Sequence, residues 1–224
     1  MSISESGAIE IDLTAVLVAV TGEEPRVLTI QDGLALPSGP FESGHRSLQT
    51  GLRSWVERQT HHPLDYVEQL YTFADRDRTL DGARVIAISY LGLTREAKAT
   101  GAQDPGWRNW YRYLPWEDWR EGPPAVMGAV EKRLEAWAAA APGDAAQRRA
   151  RQQRVAAAFA FSDRGWNEEL VLQRYELLYE AQLVPEAGRA KSIPDPLPGF
   201  RRRVRTQRYV QKNRREFIIK VSES

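Results

Sequence analysis

Cysteine is absent from the 224-residue chain. That excludes a disulfide scaffold, a thiolate zinc site and a cysteine nucleophile. No apolar run approaches the roughly 20 residues that a membrane-spanning helix needs. The N-terminus lacks a basic segment followed by an apolar one, the pattern of a secretion signal. A Gly-rich phosphate loop and a nucleophile elbow are missing too. Charge of one sign is not in excess, with 31 Lys+Arg against 30 Asp+Glu. These absences, with 42% hydrophobic residues, imply an ordinary globular protein, soluble and cytoplasmic. The length fits one large domain or a core domain with an appendage.

The balanced charge conceals an asymmetry. Residues 189–224 hold 11 Lys+Arg against 3 Asp+Glu, while the preceding 188 residues carry 20 against 27. An acidic body with a basic end points to a nucleic-acid or partner-binding terminus.

Leu13 to Val20 is apolar and β-branched, the pattern of a buried strand. Gly22-Glu23-Glu24-Pro25 signals a turn into a partner strand over Val27–Ile30. Leu36-Pro37-Ser38-Gly39-Pro40 reads as a rigid loop outside regular structure. From Ser47 to Gln59, Leu48, Leu52, Trp55 and Val56 recur at helical spacing on one side. Gly51 inside that helix should cost about 1 kcal/mol relative to Ala, for which close packing against the loop is a reason. Strands follow at Val67–Phe73 and Arg84–Leu93, and a polar connection at Thr94–Gly106. Ala125–Ala141, with Val126, Val130, Leu134 and Trp137 on one side, reads as a helix ended by Pro142-Gly143-Asp144. Further helices are expected over Gln147–Ala160 and Asn167–Val184. The order implies a mixed α/β core followed by an α-helical extension.

The segment Leu36–His61 (LPSGPFESGHRSLQTGLRSWVERQTH) resembles the loop-helix-loop motif of the Nudix superfamily. Gly39 matches the opening Gly, Arg53 and Glu57 match their places, and Trp55 takes the apolar position. The resemblance implies a Nudix-like α/β/α sandwich with a mixed sheet. It also implies glutamates that bind divalent metal on a nucleoside diphosphate. Here the first Glu position is His45, the Glu after Arg53 is Ser54, the neighbour of Glu57 is Arg58 and the closing Gly is Thr60. Magnesium needs oxygen ligands in octahedral array, usually carboxylates with substrate phosphates. One carboxylate between Arg53 and Arg58 is a poor magnesium site, and Arg53 can instead pair with Glu57 at i, i+4.

Asn109–Arg120 (NWYRYLPWEDWR) resembles a segment of the Nudix-related transcriptional regulators of NAD biosynthesis, of the alphaproteobacterial type. So does Trp166–Leu170 (WNEEL) running into Arg174–Ala181 (RYELLYEA). This resemblance covers roughly Asp12–Ala187. In such regulators a degenerate Nudix domain senses an adenine nucleotide and a C-terminal winged helix binds operator DNA. The roughly 25 residues after Gly199 are too few for the helices and hairpin of a winged helix.

The division expected is a Nudix-like sensing domain over 10–145, a helical extension over 146–188 and a basic tail over 189–224. The tail would be a remnant of the DNA-binding part. The function implied is a non-catalytic regulator of NAD metabolism that senses ATP, ADP-ribose or NAD. It would need no cofactor, avoid membranes and act as a homodimer on operator DNA. Ligand binding falls to Arg53, Glu57, Trp110 and Arg112, and DNA contact to Arg201, Arg202, Arg203 and Arg205. Two readings of the tail stay open, phosphate contact with salt-dependent affinity or a solvated basic end. Trp107, Trp110, Trp116 and Trp119 either stack on adenine or pack a core. Arg108, Arg112 and Arg120 either meet phosphate or pair with Glu117 and Asp118. The alternative function is a hydrolase of nucleoside diphosphate derivatives, with Mg²⁺ as cofactor and Glu42, Asp75 or Asp77 rebuilding a metal site. His45 has an acid-base role open to it, whereas adjacent His61 and His62 point apart and make no metal pair.

Overall fold

The computed structural model describes residues 9–74, 83–101, 103–159, 161, 165–185 and 187, and the backbone of 79–80 and 205–206. The chain divides into two compact units, which meet in sequence between Trp110 and Tyr111.

The first unit is built on strand β1 (Ile9–Thr21), which turns tightly at Gly22-Glu23 into antiparallel β2 (Glu24–Thr29). Strand β7 (Ala83–Leu93) lies parallel to β1, in register from Ile9 opposite Arg84 to Val18 opposite Leu93. Parallel neighbours require a long crossover, and helix α1 (Leu48–Thr60) lies within it. Antiparallel β5 (Glu68–Phe73) pairs with β7, and β8 (Gly106–Asn109) with β2. The mixed sheet therefore runs β5-β7-β1-β2-β8, with β6 (Thr79–Leu80) against β7. Leu13, Ala15, Leu17 and Ala19 share one core with Leu52 and Val56 of α1. Thr14, Val16 and Val18, on the other face of β1, are also buried. A strand covered on both faces reads as a continuous apolar run rather than an alternating one.

The segment expected to be a loop is strand in two pieces, β3 (Ala35–Leu36) and β4 (Ser38–Pro40). Prolines are tolerated there because pairing asks little of their missing N–H groups. Pro37 contributes its carbonyl, which accepts from Ala15 N–H at 2.9 Å, and Pro40 ends the pairing opposite Asp12. The backbone of β9 (Arg205–Thr206) runs parallel to β3.

The second unit contains α2 (Met127–Ala139), α3 (Ala145–Phe159) and α4 (Val171–Glu180). The buried line of α2 is Met127, Val130, Leu134 and Ala138. Trp137 is only half-buried and lies under the Arg151 guanidinium, 4.1 Å from its ring centre. The long helix expected from Asn167 is shorter. Glu168–Leu170 forms a 3₁₀ turn whose leading Asn167 side chain accepts from Glu169 N–H, and α4 ends before Gln182, whose φ is 59°.

Candidate functional site

The loop and helix that resemble the Nudix motif are joined by packing that involves its glycines. Ser47 caps α1, its hydroxyl accepting from Thr50 N–H at 3.1 Å. Gly39 faces the indole of Trp55. A Cβ there would lie 2.2 Å from Trp55 Cε2, and the indole Nε1–H donates to the Pro40 carbonyl at 2.8 Å. Gly51 faces His45, where a Cβ would stand 2.7 Å from His45 Nδ1 and 3.1 Å from Leu13 Cδ1. The glycine expected to weaken the helix thus admits the imidazole. The buried Gln59 side chain closes the frame: Ser38 N–H donates to its Oε1 at 3.0 Å, and its Nε2 donates to Ser38 O at 2.9 Å.

At the carboxylate positions the side chains have other work. Glu42 N–H donates to His45 Nδ1 at 3.0 Å, so the other ring nitrogen carries the proton. That Nε2 is 3.8 Å from the Glu42 carboxylate. Arg53 does not pair with Glu57; its Nη1 donates to the Leu64 carbonyl. Arg58 lies over Trp55 at 3.9 Å, with its Nε donating to Ser54 O. Glu57 is exposed. Among the described residues no group of three or more His, Asp or Glu converges as a metal site would require. The described donors of the loop and α1 are not the octahedral oxygen set that Mg²⁺ takes. Asp75 and Asp77, offered alongside Glu42 as metal ligands in the hydrolase alternative, lie outside the described residues.

Beyond α1 the two adjacent histidines point apart. His61 takes the left-handed cap position (φ 49°), and its ring bonds Thr100 Oγ1 at 3.2 Å. His62 is 3% exposed, bonds Thr94 Oγ1 at 3.3 Å through Nε2 and stands edge-on to Trp107 at 5.5 Å. Burial lowers its imidazole below the usual value, against a weaker upward pull from Asp65.

Of the residues expected to bind ligand, Arg53 and Glu57 stand one turn apart on α1. Trp110 closes the first unit and Arg112 belongs to the second, both half-buried in one 3₁₀ turn. Trp107 and Trp116 are core residues, 8% and 0% exposed. Arg108 pairs with Asp32 at 2.9 Å, and Arg120 holds Asp118 with two bonds. Arg201, Arg202 and Arg203 lie outside the described residues, and of Arg205 the backbone alone is described, in β9.

Reading the sequence missed the centre of the second unit. Arg174, fully buried, holds both Glu117 oxygens at 2.8 and 2.6 Å. It also donates to the carbonyls of Ala158 and Asn167, and stacks on Trp166 at 3.9 Å. Trp166 in turn packs on Trp119, ring centres 4.4 Å apart. Burial raises the Glu117 carboxyl, opposed by its bonds to Arg174. The two segments that resemble the regulators of NAD biosynthesis therefore meet through an internal ion pair and an aromatic stack.

No protein-family model matches the chain, and no curated protein does. Solved structures similar to it include Nudix and MutT proteins. One is a MutT/nudix family protein from Enterococcus faecalis, 24% identical over 49% of this chain and 47% of that one, with a TM-score of 0.42. The chain thus spans under half the length of that protein. Another is the NUDIX domain of Shewanella oneidensis NrtR complexed with ADP ribose, 20% identical over 60% of this chain and 94% of that one, at 0.43. Shewanella oneidensis NrtR itself is 16% identical over 82% and 79%, at 0.39. The mixed α/β sheet is the class that the Nudix resemblance implies. Among the described residues no helix is long and apolar enough to cross a membrane.

Proposed function

We propose that the chain is a non-catalytic, Nudix-like regulator of NAD metabolism that senses an adenine nucleotide and controls DNA binding. One observation carries this reading. The frame around α1 is kept, by Gly39 against Trp55 and Gln59 against Ser38, while His45, Ser54 and Arg58 occupy carboxylate positions. Without converging carboxylates a bound diphosphate would lack the metal that polarises it, so binding would proceed without cleavage. Arg53, Glu57 and Trp110 of the first unit are the residues assigned to the ligand. Nucleotide would shift a homodimer between two arrangements, provided it binds them with different affinity.

The test is calorimetric titration with ATP, ADP-ribose and NAD, each with Mg²⁺ and again with chelator. Mass analysis of the recovered nucleotide follows. Binding that survives the chelator and returns the nucleotide intact supports a sensor. Recovery of AMP, lost in Glu57→Gln, would establish a hydrolase instead.

A further inference from the structure

We propose that helix α3 is a docking surface for duplex DNA. The helix AAQRRARQQRVAAAF contains four arginines and no acidic residue. At about 1.5 Å per residue it is roughly 22 Å long, a rod that B-form DNA admits in its major groove. Residues 145–150, 152–154, 156 and 157 are exposed, and only Val155, Ala158 and Phe159 are buried. The adjoining carboxylate of Asp144 is engaged at the helix start, where its Oδ1 accepts from the N–H groups of Ala146 and Gln147 at 3.0 and 3.1 Å.

Two arginines fix the helix. Arg151 donates to Trp137 O at 2.9 Å and covers that ring, and Arg154 makes two 2.8 Å bonds to Glu180. Two others remain without an acidic partner among the described residues. Among the described residues Arg148 donates to the Gly143 carbonyl alone, and the exposed Arg149 takes no bond. Arg149, Gln152, Gln153 and Ala156 fall at i, i+3, i+4 and i+7, a single solvent-facing stripe. Its forked and amide donors suit phosphates and purine edges. The alanines at 145, 146, 150, 156 and 157 leave room for close approach.

A helix serving only as a solvated face normally mixes charge signs at i, i+4, because like charges there cost a few tenths of a kcal/mol each. Here Arg148 and Arg151 stand at i, i+3 with no acidic residue on the helix between them, and an anion laid along α3 would relieve that repulsion. The proposal rests on the regulator reading and deepens it by naming its DNA surface. Loss of binding confined to the tail variant would overturn the α3 surface alone, whereas no duplex binding at all would overturn both.

The experiment is fluorescence anisotropy of the full chain with a labelled 30-base-pair duplex, over 50–200 mM KCl. Three proteins are compared: the unaltered chain, Arg148→Gln/Arg149→Gln, and Arg201→Gln/Arg202→Gln/Arg203→Gln. Each phosphate contact adds about 0.9 to the slope of log affinity on log salt. The α3 variant should flatten that slope by about two and weaken binding roughly tenfold per arginine at 50 mM. Its circular dichroism and its nucleotide titration should match the unaltered chain, since both arginines are exposed. No duplex binding at 50 mM, an unchanged slope in the α3 variant, or loss confined to the tail variant would each overturn the proposal. Preference for a single strand of the same sequence would overturn it as well.

Discussion

Gly39 opens the loop, and replacing it tests whether the loop and α1 form one packed unit. In Gly39→Ala the new methyl would fall 2.2 Å from Trp55 Cε2 and 2.3 Å from Cδ2. Carbon atoms prefer about 3.5–4.0 Å, so the indole must retreat by more than 1 Å. The ring is not free to do so. Its Nε1–H is held by Pro40 O at 2.8 Å, and Arg58 lies over it at 3.9 Å. Losing the hydrogen bond costs about 1 kcal/mol, and the overpacking about 1–3 kcal/mol. Together these give a destabilisation of about 2–4 kcal/mol. Urea unfolding followed by circular dichroism measures it, and repeating the substitution in a Trp55→Leu background isolates the ring. There the cost should fall below about 1 kcal/mol, because the clash has been removed. Equal costs in the two backgrounds would refute the reasoning.

Gln59→Leu removes the two bonds that the buried amide makes to Ser38 N–H and Ser38 C=O. It should cost about 2–4 kcal/mol in urea unfolding, whereas Gln59→Glu should keep the bond to Ser38 N–H and lose the other. Arg174→Met leaves Glu117 buried without its cation and should cost about 3–5 kcal/mol. Arg174→Met/Glu117→Leu should recover most of that, and a double variant as unstable as the single one would count against the ion pair. His62 sets a pH dependence: its imidazole titrates below the unfolded value of about 6.5, so the unfolded chain takes up the proton first. The His62 contribution to stability is whole above pH 6.5 and declines as pH falls from there through the folded value. The urea midpoint between pH 7.5 and 5.5 should therefore drop less in His62→Gln, which removes the titrating ring, than in the unaltered chain.

The main elements were legible because each announces itself in neighbouring residues. The apolar run at Leu13–Val20 became β1, and the Leu48, Leu52 and Val56 spacing with a leading Ser47 became α1 with its cap. Arg53, Trp55 and Glu57 could be aligned for the same reason, being set on one helix by spacing alone. What the side chains contact could not be read that way. Arg53 was expected to reach Glu57 four residues on, yet the turn after the helix returns the Leu64 carbonyl to it. Pro37 and Gly39 argued locally against strand, and pairing with β1 overrode them because a carbonyl suffices there. The Arg174–Glu117 pair joins residues 57 apart in sequence, so no local pattern encodes it. Periodicity and capping act within a few residues and are written in the chain. The assignment of Gln59 to Ser38, of His45 to the space above Gly51 and of Arg174 to Glu117 depends on segments meeting only once the chain has folded.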